Sequence, residues 1–276
     1  MTTKNDINLP FMKMHGLGND FVVIDQRAHS YEMTAALVIA IGNRHTGIGF
    51  DQLAVISKGT GDAHISFWNN DGSTCGACGN ATRCIARYLM DQTGRDHLHL
   101  TTARGDLYAR DAGGGLTSVN MGHPLLGWAD QPLAHEMDTL ELPMPGAPTA
   151  TSMGNTHCTF FVDDAEAVDL EEFGPPHEHH PLFPERTNVQ VASIIGRDHI
   201  RMRVWERGAG ITMASGSSSC ATVVAAARRG LTGRKVRVDL DGGTLHIDWR
   251  DDGVWMTGPT SHVCDGVLTA EFLGRI

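Results

Sequence analysis

MASGSSSCATVVAAARRG, Met213 to Gly230, and GACGNATRCIARYLMDQTG, Gly76 to Gly94, share one outline: a short side chain and a glycine, an apolar helix, then a glycine stop. The first copy seats a hydroxyl, Ser215, ahead of its helix, and the second seats a thiol, Cys78, at an offset of 137 (215 − 78). A second pair of words falls at nearly the same spacing. Gly18-Asn19 is followed by FVVID and Gly154-Asn155 by TFFVDD, an offset of 136 (155 − 19). Two matches at one offset, about half the chain length, predict two like-built halves.

The words between these landmarks are β-runs: FVVID, QLAVIS, AHISFW, HLHLTT, LYARD and LTSVNM, then CTFFVD, NVQVAS, IRMRVW, KVRVDL, TLHIDW and VWMTG. Most alternate apolar with polar between Gly, Asp or Asn, the pattern of half-exposed antiparallel strands. Helical patterns cover roughly 33–43, 80–92, 166–172 and 217–229. The class is therefore α+β with strands dominant. The Pro-containing stretch Gly122–Glu136 reads as the passage between halves.

Composition narrows the function classes. A length of 276 residues suits about two domains, and a net charge of −10 gives no broad basic surface for a nucleic-acid backbone. The best apolar run, AALVIAIG, ends at Gly42 and falls far short of the roughly 20 residues a membrane span needs. MTTKNDINLPF lacks a signal-peptide apolar core, so the expected setting is the cytoplasm, with no membrane and no nucleic-acid partner. Six cysteines are too sparse for a disulfide scaffold, and such a compartment keeps them as thiols.

Asn80 and Ser217 are good N-cap types, and Gly94 and Gly230 good stops. The first turn of a helix presents unpaired N–H groups and the positive dipole end, which attract a carboxylate and lower the pKa of a thiol. Two such mouths facing one α-carbon would hold its carboxylate with an acid or base on each side, an arrangement suited to racemisation or epimerisation. Plainer readings exist for each piece. A cysteine beside a cap is commonly packing. Cys75, Cys78 and Cys84 supply half of a zinc site, but no second Cys or Cys/His pair follows at a matching spacing. HisGluHisHis at 177–180, among prolines, reads as a solvated loop rather than a metal site, and GlyLeuGlyAsn at 16–19 lacks the strand and third glycine of a nucleotide loop.

Longer words carry a family resemblance. KMHGLGNDFVVID (13–25), GIGFDQL (47–53), NNDGSTCGACGNATRC (69–84), SMGNTHC (152–158), HPLFPERTNVQ (180–190) and ERGAGITMASG (206–216) together resemble diaminopimelate epimerase, in order and over nearly the whole chain. The resemblance implies an enzyme with no cofactor and no metal that interconverts LL- and meso-diaminopimelate, on the route to lysine and peptidoglycan. It implies two pseudo-symmetric halves, each a mostly antiparallel strand-rich sheet wrapped around a central helix. The first half would span 1–124 and be joined by the tail 262–276; the second would span 125–261. A homodimer is implied as well.

Residue by residue, the resemblance makes Cys78 one of two catalytic cysteines. Asn19, Asn69, Asn155, Asn188, Glu206 and Arg207 fall on positions that grip the distal amino-acid centre and the amino groups, and Gln52 on a cleft glutamine. Gly79, Asn80, Gly216 and Ser217 fall on the helix mouths that hold the reacting carboxylate, and His157 on a position that supports the site from behind. Buried amides suit a zwitterion because they both donate and accept, and a guanidinium suits a carboxylate bidentately.

The departure is Ser215, where the family pattern has its second catalytic cysteine; Ser217–Ser219 depart slightly further. A hydroxyl is a poor base unless a neighbour takes its proton, so severe loss of epimerisation is expected. Within the resemblance Ser215 reads as an engineered Cys-to-Ser substitution that impairs an otherwise ordinary epimerase. Two alternatives stay open: a one-thiol racemase or dehydratase acting on another amino acid, and a non-catalytic amino-acid-binding homologue.

Overall fold

The computed structural model describes residues 8–76 and 78–276. The chain forms two compact units, the first running to Val119 and taking back Pro259–Ile276, the second comprising Asn120–Gly258. In the first unit the order is β1 (Leu9–Gly16), β2 (Asn19–Asp25), α1 (Ala35–Gly42), β3 (Gln52–Ser57), β4 (Ala63–Asn69), β5 (Thr74–Cys75), α2 (Gly79–Thr93), β6 (His97–Thr102), β7 (Gly105–Gly113) and β8 (Leu116–Asn120). The second runs β9 (Thr149–Ser152), β10 (Thr156–Phe161), α3 (Leu170–Glu178), β11 (Asn188–Gly196), β12 (His199–Glu206), β13 (Gly210–Ile211), α4 (Gly216–Arg228), β14 (Lys235–Leu240), β15 (Gly243–Arg250) and β16 (Gly253–Pro259). Then β17 (Ser261–Leu268) and α5 (Ala270–Leu273) return to the first unit.

Strand pairing repeats from one unit to the other. Antiparallel pairs β1–β2, β3–β4, β4–β5, β6–β7 and β7–β8 answer β9–β10, β11–β12, β12–β13, β14–β15 and β15–β16. Parallel pairs β2–β3 and β4–β6 answer β10–β11 and β12–β14. Each unit is mostly antiparallel, as the alternation along the strands suggested, with two parallel pairs in it. The cause lies in the connections: a parallel neighbour requires a crossover, and every crossover here carries helix, α1 and α2 in one unit, α3 and α4 in the other.

Each unit closes around one helix. α2 packs against β1, β2, β3, β6 and β7, and α4 against β9, β10, β11, β14 and β15. Their burial follows from composition. From Ser218 to Ala226 every residue of α4 is buried, as is Asn80–Ala86 in α2. A helix without a solvated face belongs at the centre of its layer rather than on a surface. Both helices end on a left-handed glycine as expected, Gly94 and Gly230 each at φ 69°.

α3 departs from the sequence reading. Helix was expected at 166–172 and a solvated loop at 177–180, but Ala165–Ala167 forms only a 3-10 turn. The helix begins at Leu170, where the Asp169 side chain accepts from the amides of Glu171 and Glu172, and continues through Pro175 and Pro176 to Glu178. Packing overrides the two prolines: His177 stacks on Phe173 at 4.1 Å and meets Phe160 edge-on at 4.7 Å. Among the described residues no helix is long and apolar enough to cross a membrane.

Candidate active site

In the first unit the candidate residues gather where β2, β3 and β4 meet the mouth of α2. Gln52 opens β3 and lies opposite Asn69, the last residue of β4, while Asn19 opens β2. The cap of α2 is Cys78, not Asn80: it has extended backbone (φ −139°, ψ 109°), and its side chain does not fold back onto the helix amides. Its Sγ instead donates to Oε1 of Gln52 at 3.3 Å. Asn80, expected to cap, is the second residue of the helix and is buried.

Asn80 belongs to a chain of hydrogen bonds. Arg83 Nη1 donates to its Oδ1 at 2.9 Å, its Nδ2 donates to Asn19 Oδ1 at 3.2 Å, and Asn19 Nδ2 donates to Asp51 Oδ2 at 2.9 Å. Each amide is thereby fixed in orientation, with carboxylate at one end of the chain and guanidinium at the other. Arg83 is fully buried, and Gly16 makes room for it: a Cβ there would stand 2.8 Å from Nη2. Sequence reasoning missed Arg83, whose only signal is a charge on an otherwise apolar helix face.

The second unit repeats the plan. The cap of α4 is Ser215 (φ −132°, ψ 118°), again with no side-chain bond back to the helix, and Ser217, expected to cap, is the second residue of the helix. Ser215 Oγ donates to Oε2 of Glu206 at 3.2 Å, and Thr212 Oγ1 donates to Oε1 of the same carboxylate at 2.6 Å. Asn155 Nδ2 donates to Ser217 Oγ at 3.3 Å. His157 is fully buried. Its Nδ1 faces Gln190 Nε2 at 3.0 Å, a group that only donates, so the ring proton is assigned to Nε2, which lies 3.0 Å from Asn155 Oδ1. His157 therefore turns the Asn155 amide towards Ser217.

Asn188 and Arg207 also come together, though less as a reading pair than expected. The Asn188 side chain donates to Thr156 O at 2.9 Å and accepts from Arg207 N at 3.0 Å, and the Arg207 guanidinium donates to Glu185 O at 3.1 Å.

Laid side by side, the two units match position for position: Asn19 with Asn155, Gln52 with Asn188, Asn69 with Glu206, Cys78 with Ser215, and Asn80 with Ser217. Only Asn19 and Asn155 are the same residue, and the two cap side chains find different partners. The thiol faces a neutral amide and the hydroxyl faces a carboxylate.

Three other cysteines are held as thiols. Burial pushes Cys75 and Cys84 up to about 11 and raises Cys158 further. Cys78 is set apart by its place: it is half-buried at the start of α2, with its Sγ on Gln52. Among the described residues no group of three or more His, Cys, Asp or Glu side chains is arranged to hold a metal ion.

The family model described as diaminopimelate epimerase matches residues 11–126 and 149–263. Among curated relatives, diaminopimelate epimerase of Rhodospirillum centenum is 51% identical over 271 residues, covering 95% of this chain and 93% of its own. That of Acidiphilium cryptum is 50% identical over 270 residues, covering 96% and 98%. Among solved structures, a predicted epimerase from Pseudomonas aeruginosa is similar in fold at 17% identity, with a TM-score of 0.69 over 94% of this chain and 99% of that one. A hydroxyproline epimerase from Agrobacterium vitis is likewise similar, with a TM-score of 0.68 at 12% identity over 95% and 92%. With a half-length duplication, a reactive side chain at each helix mouth and this similarity over nearly its whole length, the chain belongs to the diaminopimelate epimerase family.

Proposed function

We propose that the chain binds LL- and meso-diaminopimelate and carries a proton-transfer site for their interconversion, with Cys78 as its thiol base and Ser215 in the second acid–base position. The observation that carries this reading is the matched pair of helix mouths, each led by a residue whose side chain is turned away from capping. First-turn amides at Gly79–Asn80 and Gly216–Ser217 suit the reacting carboxylate. The Cys78 thiolate removes the α-proton from one face, the electron pair stays on the α-carbon, and a proton arrives from the other face. The substrate is the one named for the curated relatives, and its second amino-acid centre suits the amides, carboxylate and guanidinium of Asn69, Asn155, Asn188, Glu206 and Arg207.

Ser215 limits the reaction. A hydroxyl ionises far less readily than a thiol, and a well-matched acid or base is worth about 10²- to 10⁴-fold in rate. Ser215→Cys is therefore expected to raise epimerisation by roughly 10²-fold or more.

The test is solvent-deuterium incorporation into LL- and meso-diaminopimelate, with product stereochemistry, for this chain and Ser215→Cys side by side. A fast variant beside a parent that is slow, or that exchanges deuterium without inversion, supports the reading. If both are silent on diaminopimelate, the substrate assignment fails. A second reading, a one-thiol racemase or dehydratase, is favoured by the Ser215–Glu206 hydrogen bond, because a carboxylate acceptor supplies the neighbour a hydroxyl needs. It requires turnover of another amino acid by the parent and loss of that turnover in Ser215→Cys.

A further inference from the structure

We infer that Glu178 is a positioning residue for the substrate-reading turn at Glu206–Gly208, an inference that rests on the proposed binding roles of Asn188, Glu206 and Arg207. Glu178 is the last residue of α3, outside the candidate site, and its side chain is 5% exposed. A carboxylate so buried is tolerated only when its oxygens are occupied. Here they are. Oε2 accepts from Trp205 Nε1 at 2.7 Å, and Oε1 accepts from the Gly208 amide at 3.0 Å and from Arg186 Nη1 at 3.3 Å.

These three donors frame the reading residues on both strands. Trp205 and Gly208 flank Glu206 and Arg207, and Arg186 stands two residues before Asn188. The Arg207 amide then donates to Asn188 Oδ1 at 3.0 Å, which closes a ring from Glu178 through Arg186, Asn188, Arg207 and Gly208 back to the same carboxylate. Arg186 has a φ of 63°, a left-handed conformation that is costly for a residue with a Cβ and needs external support. The Glu178 side chain holds this segment and the Gly208 turn at once. The Glu178 backbone adds a further tie, its carbonyl accepting from the Thr187 amide at 3.3 Å.

Charge and shape are both required. In Glu178→Gln one oxygen becomes an NH₂, which then faces either the Trp205 indole or the Gly208 amide, donor against donor. The packing volume is unchanged, so the effect concentrates on the turn.

The experiment compares the parent with Glu178→Gln by amide hydrogen exchange at Gly208, by the Trp205 indole N–H resonance and by calorimetric affinity for meso-diaminopimelate. The expected result is at least a tenfold faster exchange at Gly208, a shifted indole resonance and at least a tenfold weaker affinity, with the rest of β12 still protected. Trp205→Phe, which removes one donor, is expected to move Gly208 exchange in the same direction by less, and it serves if Glu178→Gln does not fold. Unchanged Gly208 exchange overturns the inference, whether or not affinity falls. If the parent itself binds no diaminopimelate while Glu178→Gln still loosens Gly208, the substrate reading fails and the positioning of the turn stands.

Discussion

Asp20 neighbours Asn19 and shows how charge holds the candidate residues of the first unit. Burial alone would raise its carboxyl, but hydrogen bonds from Arg44 and Lys13, with their positive charges, outweigh burial and bring it down to about 2. Its Oδ1 also accepts from the Asp51 amide, and Asp51 Oδ2 accepts from the Asp20 amide, so the pair fixes the starts of β2 and β3 together. A folded value below the unfolded 3.8 means that this contribution is present above about pH 4 and is lost as the pH falls towards 2. At about 1.4 kcal/mol per unit, and with Arg44 half exposed, it amounts to about 1–2 kcal/mol. Asp20→Asn is expected to lose that much at pH 7 and to show a flatter stability profile between pH 4 and 2; urea melts across that range measure both. At this scale the sequence located the two helix mouths but not the residue that caps each. Asn80 and Ser217 have good capping side chains, yet Cys78 and Ser215 occupy the cap positions, and their side chains bond Gln52 and Glu206 rather than the helix amides. Good cap chemistry two residues further in serves instead to bind Asn19 and Asn155.

Among the elements, α3 and β12 meet through a glycine. A Cβ on Gly174 would stand 2.3 Å from Cδ2 of Trp205, inside any tolerable contact. Gly→Ala within a helix ordinarily gains about 0.5–1 kcal/mol of propensity, whereas overpacking a buried site costs about 1–3 kcal/mol. The clash is with a ring held at its other end by Glu178, so overpacking wins. Gly174→Ala is expected to lower stability by about 1–2 kcal/mol net and to disturb the Trp205 indole; denaturant midpoints and the indole resonance check it. Strands such as AHISFW, HLHLTT and KVRVDL stand where their alternation places them, because a half-buried strand writes its period directly into sequence. β1, β5, β9, β13 and β17 were not read. β5 and β13 have two residues each, too few for a period, and β9 is buried at all four positions, so it has no alternation to show. α3 was displaced because two prolines argue against helix locally, while Phe173 and His177, stacked on each other and edge-on to Phe160, decide in its favour.

Across the whole molecule the repeat is legible because duplicated chemistry keeps its spacing, but the first unit depends on a segment from the far end of the chain. β17 pairs along β1 from Leu9↔Leu268 to His15↔Ser261, and Leu268 lies in one apolar cluster with Leu9, Phe11, Val22, Ile24, Val38 and Phe50. Phe272 and Leu273 of α5 pack against that cluster. Fully burying a large apolar side chain is worth about 1.5–3 kcal/mol, and with Phe272 and Leu273 only partly buried the three together supply about 3 kcal/mol, a sizeable fraction of a domain's total stability. Removal also bares the outer edge of β1. The second unit draws no strand from beyond Gly258. A chain ending at Gly258 is therefore expected to lose hydrogen-exchange protection through β1 to β4 while β9 to β15 stay protected and unfold cooperatively. Unchanged protection in β1 and β2 would show that the returning strand is dispensable and that the first unit is stabilised by α2 alone.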